Sequence, residues 1–112
     1  MISAGITGEQ IMDGIIIQYE YSGDEKAWET AINKFIEGVE AEPNLADKFT
    51  YRVNILKDGV GRVHLGHWAD EDTLKYLQSL PIFSEFAEAM RGLAGDSLKN
   101  SGLRLFNAVG DK

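Results

Sequence analysis

The sequence contains two histidines, His64 and His67, and these are the side chains whose ordinary pKa lies near neutral pH. Each could accept and donate a proton in a reaction. Because side chains alternate along a strand, we expect the two rings on opposite faces of a sheet, where they would not bind one metal ion together. We predict His64 as an acid–base residue on a polar face with Arg52 and Glu20, or as a hydrogen-bonded interface histidine. We place His67 beside the helices, in the core or lining a pocket.

Aromatic and polar side chains accompany these histidines in the sequence. Trp68 ends the strand that contains the histidines, and Tyr76 lies on the helix that follows. Packing is one role open to Trp68. A guanidinium can bind an anionic substrate, although an ion pair with Glu20 or with an acid of a partner chain would use the same group. The candidate substrate-binding residues are Arg52, Asn54, His67 and Arg104.

Six elements must position these residues, and their order is strand, helix, strand, strand, helix, strand. β-branched and aromatic residues, or alternating apolar and polar residues, predict the strands. Apolar residues at helical spacing predict the helices. The predicted strands cover residues 14–21, 49–56, 62–68 and about 103–109. This order is that of a ferredoxin-like α+β fold, a four-stranded antiparallel sheet with two helices on one face.

Local signals mark where these elements begin and end. Asp24 and Asp70 stand in the position of helix N-caps. The dipeptide Asp58-Gly59 favours a tight hairpin, so the second and third strands should be antiparallel neighbours. Pro81 lacks a backbone N–H and therefore predicts a kink or break in the second helix.

Alternation also assigns the strand side chains to two faces of the sheet. The predicted helix-facing set is Ile15, Ile17, Tyr19, Tyr51, Val53, Ile55, Val63, Leu65, Leu103 and Leu105. The predicted opposite set is Ile16, Gln18, Glu20, Arg52, Asn54, His64, Trp68, Arg104 and Phe106. A monomer would expose this second face, so we predict that two copies pair through it as a homodimer. A solvated polar face with two stray aromatic rings is the alternative.

The chain of 112 residues has a single-domain length and a formal net charge of −7. A negative field repels phosphate backbones and anionic lipids, so we expect neither nucleic acid nor a membrane surface as a partner. The lack of cysteine excludes disulfides and thiolate chemistry and is typical of a cytoplasmic protein. Residues 1–13 show no signal-peptide pattern, and we interpret them as a flexible arm, or as an upstream start before Met12, ahead of a domain over 14–112.

The third strand and the second helix carry a group of features that belong together. An aromatic residue ends the strand, and an acidic N-cap, a leucine-rich turn and a Ser-x-x-Phe element follow. These features are found at Trp68, Asp70, Leu74, Leu77, Ser79 and Phe83. The segment resembles the antibiotic biosynthesis monooxygenase family. With the order of the elements, the resemblance covers about residues 14–109 and implies a dimeric α+β barrel.

The resemblance also implies a kind of site. In the cofactor-free oxygenases of this family, an Asn, a Trp, a Tyr and an Arg surround a phenolic substrate. Trp68 matches by position, Tyr76 lies on the facing helix, and His64 stands at the position of the Asn. Haem-degrading relatives need a histidine on the second helix, and the sequence has none after Asp70, so we do not expect haem.

Two functions stay open at this stage. The first is a dimeric oxygenase, free of metal and organic cofactor, that acts on an aromatic or polyketide-like small molecule. In it His64 is the base, Trp68 and Tyr76 hold the ring, and Arg52 or Arg104 binds an anion. The second is a non-enzymatic dimeric module that binds a small ligand or is purely structural. A cavity between the sheet and the helices that reaches Trp68 and His64 would favour the enzyme.

Overall fold

The structure is a computed structural model that describes residues 13–110. Four strands form one antiparallel sheet in the order β2-β3-β1-β4. The strands are β1 (Asp13–Glu20), β2 (Phe49–Ile55), β3 (Gly61–Trp68) and β4 (Lys99–Arg104). The predicted N-terminal arm lies outside the described residues except for Asp13, the first residue of β1.

Three helices connect the strands. They are α1 (Glu25–Glu40), α2 (Glu71–Ser79) and α3 (Pro81–Ala94). The side chain of Asp24 accepts a hydrogen bond from the Lys26 N–H, and that of Asp70 accepts one from the Thr73 N–H, so both predicted N-caps are confirmed. The predicted break is also confirmed, because Leu80 is extended and Pro81 begins a new helix. The α+β, ferredoxin-like fold class is therefore confirmed.

The core lies between the helices and one face of the sheet. Phe35 of α1 stacks on Phe86 of α3 with ring centroids 4.1 Å apart, and both rings contact Tyr51 of β2. Such burial of large aromatic side chains contributes about 25 cal/mol for each Å² of apolar area removed from water. The helices cover this face of the sheet, which we call the inner face, and leave the opposite, outer face uncovered by any described element.

The last strand differs from its prediction. The sequence favours residues 103–109, but β4 covers Lys99–Arg104, and Phe106 and Val109 are 96% exposed. The residues from Lys99 to Gly102 have weak strand propensity, and pairing with β1 holds them in the sheet. Tertiary pairing outweighs local propensity at this edge.

The predicted faces of β3 were wrong. His64 pairs directly with Ile17 of β1 and with Val53 of β2, so all three side chains lie on the inner face. Trp68 is likewise on the inner face, whereas Val63 and Leu65 are on the outer face. The prediction assumed that the apolar residues of the strand face the core, but buried hydrogen-bonded polar residues take those positions here.

The predicted faces of the C-terminal strand were also wrong. Leu103 pairs with Gly14 and therefore lies on the outer face, while Arg104 pairs with Asp13 and lies on the inner side. Leu105 and Phe106 follow the end of the strand and so have no place in the ladder.

Candidate functional site

A cavity of about 260 Å³ lies between the inner face and the helices. Its size approaches the lower limit for small-molecule sites and suits a ligand of a few rings. Most of the lining is apolar and aromatic. The lining residues are Ile15, Ile17, Phe35, Phe49, Tyr51, Trp68, Leu74, Leu77, Gln78, Phe83, Phe86, Ala87, Met90, Arg91, Leu98 and Asn100.

A few polar groups interrupt this apolar wall. Gln78, Arg91 and Asn100 line the cavity and are also exposed, so they stand where the cavity meets solvent. The guanidinium of Arg91 makes no ion pair with the other described residues. Deeper polar atoms come from the partly buried side chains of Tyr51 and Trp68. The site therefore combines flat aromatic walls with one cation and a phenol, an arrangement suited to an aromatic ligand that carries an acidic or carbonyl oxygen.

The ring of Tyr51 is positioned by a glycine on the neighbouring strand. Gly66 is the cross-strand partner of Tyr51, and a Cβ atom at Gly66 would come within 2.9 Å of the tyrosine ring. Since no side chain occupies that place, the ring can lie across β3 and present its edge to Phe35 and Phe86. The absence of a side chain at Gly66 thus allows the orientation of the cavity phenol.

Behind Tyr51 lies His64, which is completely buried. Its Nδ1 is 2.8 Å from the Tyr51 hydroxyl, and its Nε2 is 2.8 Å from the Tyr19 hydroxyl. The imidazole also stacks on Phe86. His64 does not line the cavity itself and reaches it only through Tyr51.

Burial controls the protonation of His64 and of the two tyrosines, Tyr19 and Tyr51, to which it is hydrogen-bonded. It lowers the pKa of His64 to about 4, because the buried imidazolium loses the water that would stabilise its charge. Burial also raises the pKa of Tyr51 above its ordinary value, and that of Tyr19 in the same direction. At neutral pH the three side chains are therefore all uncharged, so their hydrogen bonds are set by which oxygen or nitrogen carries each hydrogen.

Trp28 contacts the end of this set of hydrogen-bonded side chains that is farther from the cavity. The indole Nε1–H of Trp28 donates to the Tyr19 hydroxyl at 2.8 Å. The ring of Trp28 in turn supports the buried guanidinium of Arg62, whose Cζ is 4.2 Å from the ring centroid. Arg62 also donates to both carboxylate oxygens of Glu25, which anchors α1 to β3. This ion pair holds in place the helix that carries Trp28.

The structure brings together only some of the residues predicted from sequence. Trp68 lines the cavity, and Tyr51 separates His64 from the cavity. Both Trp68 and His64 had been expected on the outer face. Tyr76 does not line the cavity, and its hydroxyl donates to Glu42 at 2.5 Å. The predicted role of Tyr76 in holding a ring is therefore not supported by its position.

The predicted substrate-binding residues on the strands lie elsewhere. Arg52, Asn54 and His67 are on the outer face, where His67 packs over Gly14. Arg104 forms an exposed ion pair with Asp13. Arg52 and Arg104 are also far from each other, because β2 and β4 are the opposite edges of the sheet. No predicted strand cation reaches the cavity.

Sequence reasoning missed Tyr51 and Arg91 as site residues. Tyr51 was assigned to the inner face correctly, but as a packing residue. A usable signal existed, because a hairpin centred on Asp58-Gly59 pairs Val53 with His64 and so puts this histidine on the same face as Tyr51. Arg91 is an exposed residue in the last turn of a helix, and nothing in the sequence distinguishes it from an ordinary surface cation.

Residues 13–110 contain neither a cluster of metal-binding side chains nor a membrane-spanning helix. In that part of the chain, no group of three or more His, Asp or Glu side chains is arranged to hold a metal ion. Within the same range, no helix has the length and hydropathy needed to cross a membrane.

Comparison with solved structures places this fold among known proteins. A candidate antibiotic biosynthesis monooxygenase of Caulobacter crescentus has 21% identity over 86% of this chain and 91% of its own, with a TM-score of 0.66. SnoaB, a cofactor-independent oxygenase from Streptomyces nogalater, has 15% identity over 88% and 94%, with a TM-score of 0.62. A dimeric ferredoxin-like protein of unknown function from Jannaschia has 14% identity over 82% and 97%, with a TM-score of 0.62.

These likenesses establish the class of protein that the fold defines. No protein-family model and no curated protein matches the sequence. At the level of the fold, the resemblance to antibiotic biosynthesis monooxygenase-like proteins is confirmed, and the chain is a small α+β protein of that architecture. At these identities the likeness carries the fold and not the activity.

Proposed function

We propose that the protein is a cofactor-independent monooxygenase that oxidises a hydroxylated aromatic or polyketide-like small molecule in the cavity beneath its sheet. The observation that carries this proposal is the cavity itself, which has aromatic walls, a phenol and an arginine side chain. SnoaB, a protein of the same architecture, is a cofactor-independent oxygenase, and this analogy of fold supports the proposal.

Three of the lining residues have a role in this reaction. Trp68 and Phe86 hold the flat ring of the substrate, and Arg91 binds an anionic oxygen at the opening. A bound phenolate is electron-rich and can reduce molecular oxygen directly. One oxygen atom replaces a ring hydrogen as the second carbonyl of a quinone, and the other leaves as water. The phenol supplies all four electrons, so the overall step needs no external reductant.

The role that we propose for His64 differs from the role of base predicted from the sequence. The sequence suggested a base that touches the substrate, but the imidazole lies behind Tyr51 and has a low pKa. A group that is neutral at pH 7 and out of contact is better placed to orient Tyr51 than to take a proton from substrate. We therefore assign His64 as a positioning residue and Tyr51 and Trp68 as the groups in contact with the ligand.

We also propose that two copies of the chain pair through the outer face. The corrected assignment makes that face more apolar than the sequence suggested, with Ile16 directly opposite Leu65 in the ladder and Val63 beside them. All three side chains are only partly buried in the single chain. A second copy would remove them from water, and the related Jannaschia protein is a dimer.

Oxygen uptake tests the proposed activity. The protein is mixed with a dihydroxynaphthalene in air-saturated buffer containing a metal chelator, and an oxygen electrode records the rate. Saturable uptake with formation of the quinone is expected. Arg91→Met should lower kcat/KM by about tenfold or more, since a charge-assisted contact is lost. Arg104→Met removes an arginine outside the cavity and should leave the rate unchanged. An uptake rate equal to that of buffer alone would contradict the proposal.

A second candidate function is ligand binding without chemistry. It is favoured by the pKa shifts near the cavity, because burial moves the pKa of His64 and that of Tyr51 away from neutral pH and leaves no strong base there. Saturable binding of the dihydroxynaphthalene with no oxygen uptake would support this candidate over the oxygenase.

A further inference from the structure

Four side chains form one continuous hydrogen-bonded chain from α1 to the cavity. Trp28 is hydrogen-bonded to Tyr19, Tyr19 to His64, and His64 to Tyr51, and each donor–acceptor distance is 2.8 Å. Trp28, Tyr19 and His64 are buried, and Tyr51 lines the cavity. The direction of the hydrogen bonds along this chain decides what Tyr51 offers to a ligand.

The end of the chain at Trp28 sets that direction. An indole N–H can only donate, so the oxygen of Tyr19 accepts a hydrogen bond from Trp28. Tyr19 has one hydrogen of its own, and its possible acceptors are His64 Nε2 at 2.8 Å and the Met90 sulfur at 3.5 Å. The nitrogen is the far stronger acceptor, because a thioether sulfur accepts only weakly. The hydrogen of Tyr19 therefore goes to His64.

The neutral imidazole then has a defined tautomer. Its Nε2 accepts from Tyr19, so its single hydrogen must be on Nδ1, from which it donates to the oxygen of Tyr51. The reverse arrangement would make Tyr19 accept twice and leave its hydrogen to sulfur. In the favoured arrangement the oxygen of Tyr51 already accepts a hydrogen bond, and its own hydrogen is free.

We propose that this chain makes Tyr51 a dedicated hydrogen-bond donor to the ligand, so that the cavity selects aromatic compounds with a phenolate or carbonyl oxygen directed at Tyr51. His64 is the positioning residue that fixes the direction of the donor. The inference rests on the proposed function, and it adds the ligand group that the cavity recognises, which is a phenolate or carbonyl oxygen. A donor aimed at the oxygen stabilises the phenolate over the phenol.

The probe for this inference is para-nitrophenol, whose phenolate absorbs visible light and whose phenol does not. The bound fraction is measured by absorbance at a series of pH values, and para-nitroanisole, which has no ionisable hydroxyl, is the matched ligand. Wild-type protein should bind the phenolate about tenfold more tightly than the phenol. Tyr51→Phe should lower that preference, and any preference that remains is the contribution of Arg91, which also lines the cavity. The affinity for para-nitroanisole should change much less, because its neutral ether oxygen is a weaker acceptor than a phenolate.

Two variants of His64 separate positioning from packing. In His64→Gln, the amide can accept from Tyr19 and donate to Tyr51, so the preference for phenolate should be retained. In His64→Leu, the preference should fall as in Tyr51→Phe. Circular dichroism checks that each variant is folded, and Tyr51→Phe alone decides the inference where a His64 variant does not fold.

The outcomes separate this inference from the proposed activity. Equal affinity for phenolate and phenol in wild-type protein, or a preference unchanged in Tyr51→Phe, would overturn the inference even if oxygen is consumed. A phenolate preference that depends on Tyr51, without oxygen uptake from the dihydroxynaphthalene, would support the inference and contradict the oxygenase. Failure of both para-nitro compounds to bind a folded protein would overturn the inference.

Discussion

His64 has no exposed surface and two hydrogen bonds to neutral phenols, so its protonation is coupled to folding. The groups that face it are Tyr19, Tyr51 and Phe86, and none carries a charge at neutral pH. Its pKa of about 4 in the folded chain is below the ordinary value of 6.5. The unfolded chain therefore binds the proton more tightly, and stability is lost as the pH falls from about 6.5 towards 4.

The free energy of unfolding should show this coupling. Between pH 7 and pH 5 the histidine should cost the folded state on the order of 2 kcal/mol. His64→Gln has no titrating group at this position, so its stability should fall less over the same interval. Urea denaturation at both pH values measures the difference. Parallel pH profiles for the two proteins would contradict a neutral buried His64.

At the same scale, the sequence identified Trp68 and His64 as important but not their surroundings. His64 stood out because an imidazole has a pKa near neutral pH, and Trp68 stood out because it ends the strand where the resembling family has an aromatic residue. Tyr51 and Arg91 could not be identified in the same way, because tyrosine is common in strands and arginine is common near helix ends. What makes them site residues is a cavity formed by packing of elements distant in sequence.

Among the elements, the pairing of β2 with β3 determines the site. The order of elements, the N-caps and the helix break could be predicted because each depends on a local signal such as Asp70 or Pro81. The faces of β3 depend on register, and apolar alternation alone misled because Arg62 and His64 are buried. Counting pairs outward from the Asp58-Gly59 hairpin gives the observed register.

Gly66 allows a test at this scale. In Gly66→Ala, the new methyl group would meet the Tyr51 ring at 2.9 Å, so the ring must shift away from its bond to His64. We expect a loss of about 1–3 kcal/mol in the free energy of unfolding. Gly102→Ala is the matched control, because Gly102 lies on the same face of the sheet and a Cβ there has no neighbour within 4 Å.

Chemical denaturation of the two alanine variants measures these effects, and the Tyr51 ring resonances in NMR spectra report its displacement. Gly102→Ala should change stability by no more than about 0.5 kcal/mol. Equal stability of both variants, with unshifted Tyr51 resonances in Gly66→Ala, would show that the ring does not depend on the space above Gly66.

For the whole molecule, the fold class followed from the order of six elements, but the surface that we propose to pair did not. The predicted outer face included His64 and Trp68, and both are inside. The actual outer face has Ile16, Val63 and Leu65 at its centre. The dimer was therefore predicted partly from residues that do not lie in the proposed interface, and the corrected residues make that interface more apolar.

Light scattering at micromolar concentrations should give twice the mass of one chain, 12.4 kDa. Leu65→Glu adds a charge to the centre of the outer face and should yield monomers, because a buried unpaired carboxylate is strongly disfavoured. Asn33→Glu adds the same charge to an exposed position of α1 and should leave the dimer intact. A monomeric wild-type protein would contradict pairing through the sheet.

The central claim is that the cavity between the sheet and the helices receives an aromatic ligand. Calorimetric titration with a dihydroxynaphthalene tests it, using Ala87→Phe to fill the cavity and Ala27→Phe to add the same ring at an exposed position of α1. We expect one ligand per chain in the wild-type protein and in Ala27→Phe, and no saturable binding in Ala87→Phe. Absence of binding to the wild-type protein, or undiminished binding to folded Ala87→Phe, would contradict the claim.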